Sequence, residues 1–311
     1  MTPRRPRATE AQPGTGLDVG LVVAAHGRHV VVETPARKRV LCHPRGKKSE
    51  LVVGDRVRWQ ATGDGGVVEQ IEPRRNLLFR QDEWRTKSFA ANLDQLLMLV
   101  AGEPVFSEAQ LTRALVAAQD AGIPALIGLN KTDLPAAAAA RERLAPYRAM
   151  GVEVIEMALT ADPVGSTARL LPRLAGHTTL VLGPSGMGKS TLINLLVPAA
   201  AAQVGEISKA LAAGRHTTTT TSWYWLDDEH RGALIDSPGF QEFGLRHIAP
   251  ERLAALMPDY AAVLGQCRFH NCSHRHEPGC GVRAAIERGE ISASRQRIYE
   301  MLYDELAQSR F

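Results

Sequence analysis

From Gly20 to about Phe79 the apolar positions come as short β-branched clusters: Val22-Val23, Val30-Val31-Val32, Val40-Leu41, Val57, Val67-Val68 and Ile71. Gly27, Gly46, Gly54-Asp55, Gly63 and Gly65-Gly66 separate them at turn-like intervals. About five short strands in such a span suit a small closed barrel of the oligonucleotide-binding type. Ahead of them, residues 1–16 hold Arg, Pro, Thr and Gly with hardly any large apolar residue, so a flexible basic tail is expected. After Asn92 the period changes. Gln95 to Ala101 is a continuous apolar run of strand length, and Ser107 with Gln110 reads as a capping box. Leu111, Ala114, Leu115 and Ala118 then form a helical stripe that Gly122 closes, before a second buried strand through Leu126, Ile127 and Leu129. A strand–helix–strand unit predicts a parallel sheet flanked by helices. From about His247 the pattern is helical again, with a cysteine cluster inside it.

The organisation expected is therefore multidomain: a tail at 1–16, an N-terminal OB-type β-barrel at 17–80, a central α/β domain at 81–246, and a mostly helical C-terminal domain at 247–311. A chain of 311 residues has room for these cores. With 44% hydrophobic and 23% charged residues it is neither fibrous nor largely disordered. No apolar run reaches the roughly 20 residues of a membrane span, and the first sixteen residues lack the apolar stretch of a secretory signal. A cytoplasmic protein without a membrane partner is expected. No heptad or long amphipathic surface is visible, which points to a monomer. The net charge of +4 is a mild basic bias that suits RNA, or simply a solubilising surface. Arg37-Lys38-Arg39, Arg45 and Lys47-Lys48 would give the barrel a positive loop face.

The strongest chemistry follows the apolar strand Thr178–Leu182. It runs into Gly183-Pro184-Ser185-Gly186-Met187-Gly188-Lys189-Ser190, and Thr191-Leu192-Ile193-Asn194-Leu195-Leu196 begins a helix. Strand, glycine-rich loop and helix together form a phosphate-binding loop. The glycines let backbone N–H groups turn inward, the helix N-terminus adds partial positive charge, and Lys189 reaches the β and γ phosphates. Ser190 is a magnesium ligand in this arrangement. The base is addressed by Asn130-Lys131-Thr132-Asp133, at the C-terminal end of a buried strand, where open α/β sheets bind ligands. A carboxylate at Asp133 accepts both N–H groups of the guanine edge, which adenine does not offer, so GTP is favoured over ATP. Asp236-Ser237-Pro238-Gly239 follows another strand, Gly232 to Ile235. Asp236 supplies an acid for magnesium and Gly239 an amide for the γ-phosphate. Between these lies Gly214-Arg215-His216-Thr217-Thr218-Thr219-Thr220-Thr221. Thr217 or Thr218 is the candidate magnesium hydroxyl, with Thr218 assigned beside Ser190 and Asp236. Phe240 stands where many GTPases carry a water-orienting glutamine, so another group must place the attacking water, and His216 is the candidate. The rival readings are an ATP-using kinase and a GTP-gated assembly factor whose hydrolysis is incidental.

Cys267, Cys272, His274 and Cys280 offer three thiols and one imidazole within fourteen residues, enough for one closed tetrahedral structural zinc site. His270 and His276 are alternative ligands by sequence. Cys42 stands apart in a strand-like run and reads as a core or edge thiol.

Taken together these residues resemble the circularly permuted GTPases called ribosome small-subunit-dependent GTPase A. The carriers are Ala90-Ala91-Asn92-Leu93-Asp94-Gln95, Asn130 to Asp133, the phosphate loop through Thr191, Gly214 to Thr218, Asp236 to Gly239, and Cys267 to Cys280 with its Glu277-Pro278-Gly279. The resemblance implies an N-terminal OB barrel, a central permuted P-loop GTPase and a C-terminal zinc domain. It also implies hydrolysis of GTP to GDP stimulated by the small ribosomal subunit, contact with its rRNA, and a role in late maturation of that subunit. Two positions depart from the family pattern. Met157-Ala158 replaces the usual guanine-contacting Ser-Ala, and Asn271 replaces an acidic residue in the zinc loop.

Overall fold

The computed structural model describes residues 17–26, 29–46, 50–63, 65–198, 200, 221–239 and 242–308. The predicted tail, Lys47-Lys48, the stretch holding His216, Thr217 and Thr218, and Phe240 lie outside the described residues.

The β-branched clusters form β1 (Asp18–His26), β2 (His29–Glu33), β3 (Arg39–Pro44), β4 (Arg56–Thr62) and β5 (Gly65–Ile71). They hydrogen-bond in the order β1-β2-β3-β5-β4, and β4 returns to β1, so the barrel closes. Alternating side chains from these strands fill its interior: Val22, Val30, Val32, Val57, Trp59 and Val68, with the Cys42 thiol among them. Cys42 is thus a core thiol, and burial pushes its pKa up to about 11.

A hairpin of β6 (Leu77–Gln81) and β7 (Thr86–Ala91) leads out of the barrel into the α/β domain. There β8 (Gln95–Ala101), β9 (Ala125–Asn130), β10 (Glu153–Glu156), β11 (Thr178–Leu182) and β13 (Ala233–Asp236) run parallel in the order β10-β9-β8-β11-β13. β8 is buried along its whole length, as its unbroken apolar run requires of a central parallel strand. Helices α1 (Glu108–Asp120), α2 (Ala137–Ala149), α3 (Pro163–Leu174) and α4 (Lys189–Leu196) connect the strands. The cap of α1 is one-sided. Ser107 Oγ accepts from the Gln110 N–H at 3.3 Å, but Gln110 Oε1 is buried without a hydrogen-bond partner among the described residues and does not return the contact.

The pattern of apolar residues gave no hint of β12 (Thr221–Trp225). It pairs antiparallel with β13 on one side and with β1 on the other, through Ala24↔Ser222 and Ala25↔Thr221. Barrel and α/β domain therefore share one eleven-stranded sheet. The C-terminal part consists of short helical turns followed by α5 (Gly281–Glu287) and α6 (Ala293–Gln308). It is pinned to α1 by Arg295, whose guanidinium donates to both Asp259 carboxylate oxygens at 2.7 and 2.9 Å and to Thr112 Oγ1 at 2.7 Å. Arg113 to Glu305 and Arg252 to Asp120 add two more ties.

Candidate nucleotide site and metal centre

The parallel strands β8, β9, β11 and β13 end at one rim, and the predicted nucleotide motifs occupy the loops that leave it. The loop from Gly183 to Gly188 joins β11 to α4, with Ser190 and Thr191 exposed in the first turn, where helix N–H groups lack intrahelical partners. Gly188 caps that helix at φ +102°, a left-handed conformation, and a Cβ there would lie 2.3 Å from Asn130 Nδ2. Only glycine fits. Asn130 fills the space by donating to the Met187 carbonyl at 2.9 Å and accepting from the Leu159 N–H at 3.1 Å. It therefore ties the glycine-rich loop, the end of β9 and the segment after β10 into one unit.

The rest of the Asn130–Asp133 turn is also fixed. Lys131, at φ +61°, donates to the Glu103 carbonyl at 2.8 Å, and Thr132 Oγ1 donates to the Met157 carbonyl at 3.0 Å. Asp133 remains exposed. Met157 is fully buried, and the adjacent Ala158 N–H is already donated to Ser166 Oγ at 3.0 Å. The Met157-Ala158 departure thus comes with an amide held by Ser166, a residue that no motif marks.

On the phosphate side Lys189 Nζ rests on the carbonyls of Gly183 and Pro184 at 2.7 and 2.8 Å. Burial lowers its pKa, and the Asp236 carboxylate opposes that shift. Burial in turn pushes the Asp236 carboxyl up to about 6, against the pull of Lys189. A half-buried acid beside a lysine held on loop carbonyls fits magnesium with a nucleotide phosphate. Gly239 sits so close that a Cβ would stand 3.1 Å from Lys189 Nζ and 3.4 Å from the Ser185 nitrogen. The structure thus gathers Lys189, Asp236 and Gly239 at one place beside the loop.

At the C-terminal part, the donor atoms of Cys267, Cys272, His274 and Cys280 all lie within 4.8 Å of one another. His274 Nδ1 is 3.5 Å from Cys267 Sγ and 3.6 Å from Cys280 Sγ. His270 and His276 are exposed and outside this group. Three thiols and one imidazole converging in this way supply the four donors of a structural zinc ion. Glu277, which the sequence marks only within Glu277-Pro278-Gly279, organises the loop. Its carboxylate accepts from the N–H groups of Ser273, Arg275 and His276 at 2.8, 3.2 and 3.2 Å. Although desolvation opposes ionisation, these hydrogen bonds hold its carboxyl well below the usual range.

Residues 71–246, more than half of the chain, match the RsgA GTPase family. The chain belongs to that family. Relatives span its full length: the small ribosomal subunit biogenesis GTPase RsgA of Variovorax paradoxus (strain S110) is 58% identical, covering 100% of this chain and 98% of its own. The protein of that name from Burkholderia pseudomallei (strain K96243) is 52% identical, with 98% of each chain covered. Among solved structures, YjeQ from Thermotoga maritima is 30% identical with a TM-score of 0.71, covering 93% of this chain and 98% of its own. YloQ, described as a circularly permuted GTPase, is 26% identical with a TM-score of 0.71, covering 97% and 99%. The family membership implied by the order of the motifs is thereby established, and with it GTPase activity and the permuted P-loop architecture. Among the described residues no helix is long and apolar enough to cross a membrane.

Proposed function

We propose that this GTPase binds the small ribosomal subunit through its rRNA, hydrolyses GTP to GDP and phosphate there, and so assists late maturation of the subunit as a cytoplasmic monomer. The observation that carries the reading is the continuity of the sheet. The strand bearing Asp236 pairs with β12, and β12 pairs with β1 of the OB-type barrel, so the nucleotide site and a nucleic-acid-type barrel share backbone hydrogen bonds. The names of the full-length relatives point the same way.

In this reading Asp133 accepts the two guanine N–H groups while Asn130, Lys131 and Thr132 hold the turn that presents it. Amides from Gly183 through Thr191 surround the phosphates, and Lys189 leaves the Gly183 and Pro184 carbonyls to reach the β and γ oxygens. Magnesium bound with GTP neutralises charge on those oxygens. Ser190, Thr218 and Asp236 are its protein ligands, and Thr217 is the alternative hydroxyl. The Gly239 N–H meets the γ-phosphate, and His216 positions the attacking water. Cys267, Cys272, His274 and Cys280 hold one structural zinc.

The test is GTP turnover with and without purified small ribosomal subunits, with ATP as the control nucleotide. Stimulation confined to GTP is expected. Turnover indifferent to the subunit would remove the partner, and preference for ATP would overturn the role of Asp133. His216→Ala is expected to slow turnover with nucleotide binding kept, and unchanged turnover would remove His216 from the mechanism.

A further inference from the structure

At the opposite end of the sheet from the nucleotide motifs lies a groove of about 1160 Å³ between the barrel and the turn joining β12 to β13. Its floor includes Asp94, just ahead of β8, and Thr178, the first residue of β11, so it opens at the N-terminal ends of the strands whose C-terminal ends carry the phosphate loop. A five-residue strand, roughly 16 Å, separates the two sites.

Six arginines line the groove against three acids, Glu33, Glu72 and Asp94. Several of the arginines are neutralised where they stand. Arg74 makes a bidentate pair with fully buried Asp55, Arg58 pairs with Glu72 at 2.9 Å, and Arg75 pairs with Asp94 at 2.7 Å. Arg37 and Arg56 are exposed on the barrel wall, and among the described residues no acid pairs with either. Arg231, on the facing wall, pairs with Asp227 at 3.5 Å and donates to Glu229 at 3.4 Å, yet its side chain is 70% exposed, so most of its guanidinium stays open to the groove. Guanidinium forks thus face one channel from two sides.

The channel is pre-formed. Trp225 Nε1 on β12 donates to Glu33 Oε1 on β2 at 2.8 Å, Asn92 Nδ2 donates to the Gly54 carbonyl at 2.9 Å, and Arg75 Nη2 donates to the Asn92 carbonyl at 2.8 Å. A concave channel does not fit a flat lipid surface, and its size exceeds that of one phosphate group. The Trp225 ring is stacked on His230 at 4.2 Å, which covers a face that would otherwise receive a base. What remains on offer is charge and planar donors, which match phosphodiester oxygens.

We propose that this groove binds an RNA backbone through Arg37, Arg56 and Arg231, as a sequence-independent contact separate from the nucleotide site. The proposal rests on the reading of an RNA-rich partner given above. It uses the β1–β4 side of the barrel and the GTPase turn together, so neither unit forms the site alone.

The experiment is fluorescence anisotropy of the full chain with a labelled RNA hairpin, titrated between about 50 and about 200 mM salt. Each phosphate contact contributes about 0.9 to the slope of log affinity against log salt on a duplex and about 0.7 on a single strand. The variant Arg37→Gln/Arg56→Gln/Arg231→Gln is therefore expected to flatten the slope by roughly 2 to 3, with GTP affinity unchanged. The matching lysine variant keeps the charge and is expected to keep the slope. An unchanged slope in the glutamine variant overturns the groove, even if small subunits still stimulate GTP turnover. A wild-type chain that binds no RNA overturns both the groove and the RNA-facing reading. Polyglutamate displacing the hairpin as effectively as unlabelled RNA of equal charge would assign the groove to an acidic protein instead.

Discussion

Replacing Asp236 by asparagine should stabilise the nucleotide-free protein while damaging its function, and should do so only above a definable pH. The carboxyl is raised from 3.8 to about 6, chiefly by burial, with Lys189 pulling the other way. A carboxyl whose folded pKa exceeds its unfolded value contributes most at low pH, where it is neutral, and that contribution is lost as pH rises toward the folded pKa. Above about pH 6 the penalty levels off, and at about 1.36 kcal/mol per pKa unit it reaches an upper limit of roughly 3 kcal/mol. Asparagine keeps the shape and carries no charge. Relative to wild type, Asp236→Asn should therefore gain roughly 2 kcal/mol of stability between about pH 4.5 and about pH 7.5, with little further change beyond. Urea unfolding of both proteins without nucleotide, across that range, measures it. Titrating groups that do not sense Asp236 are common to the two proteins and cancel in the difference, which leaves Lys189 and Tyr224, whose protonation its charge favours, as the other contributors. A stability difference independent of pH, or a variant less stable than wild type at pH 7.5, would refute the reasoning. With GTP and magnesium present the order should reverse, because the carboxylate then has its ligand.

Three further outcomes follow from contacts described above. Arg295→Met leaves Asp259 buried without its cation, which should cost about 3 to 5 kcal/mol, whereas Arg295→Met combined with Asp259→Leu should recover most of it; denaturant unfolding of the variants distinguishes these. Asn130→Ala removes the links to Met187 and Leu159, and leaving two buried partners unsatisfied at about 1 to 3 kcal/mol should weaken GTP binding by roughly ten- to a hundredfold in a fluorescent-nucleotide titration. Metal analysis should find one zinc per chain, and a strong chelator or Cys272→Ser should open the Cys267–Cys280 loop to protease cleavage while GTP affinity stays within about twofold.

The barrel, the parallel sheet and the order of motifs were legible because each rests on local pattern. The β-branched clusters between glycines mark short strands, Gln95 to Ala101 marks a strand buried on both faces, and Gly183 to Ser190 carries its own strand-to-helix context. Long-range pairing was not legible. Nothing in Thr221 to Trp225 announces that it joins β1 some two hundred residues earlier, because the period of a strand reveals its faces and not its neighbours. The site divides similarly. Lys189, Asp236 and the Cys3His set follow from residue type and spacing, whereas Ser166 on the Ala158 amide and Glu277 on three loop amides act through backbone groups that leave no motif. The basic run Arg37-Lys38-Arg39 also split in space: Arg39 is neutralised by Glu33, while Arg37 turns to the groove.

The seam between β1 and β12 also sets an order of events during synthesis. The barrel closes on itself through β1 and β4, so its five strands have all their partners within the barrel once Ile71 has left the ribosome. The strand that extends the sheet from Ala24 and Ala25 begins only at Thr221, 150 residues later. At about 5 to 20 residues per second the finished barrel therefore waits roughly 8 to 30 seconds with that edge unpaired. A nascent chain stalled between these points should display a folded barrel whose β1 edge is open to other strands, a hazard that disappears when β12 arrives.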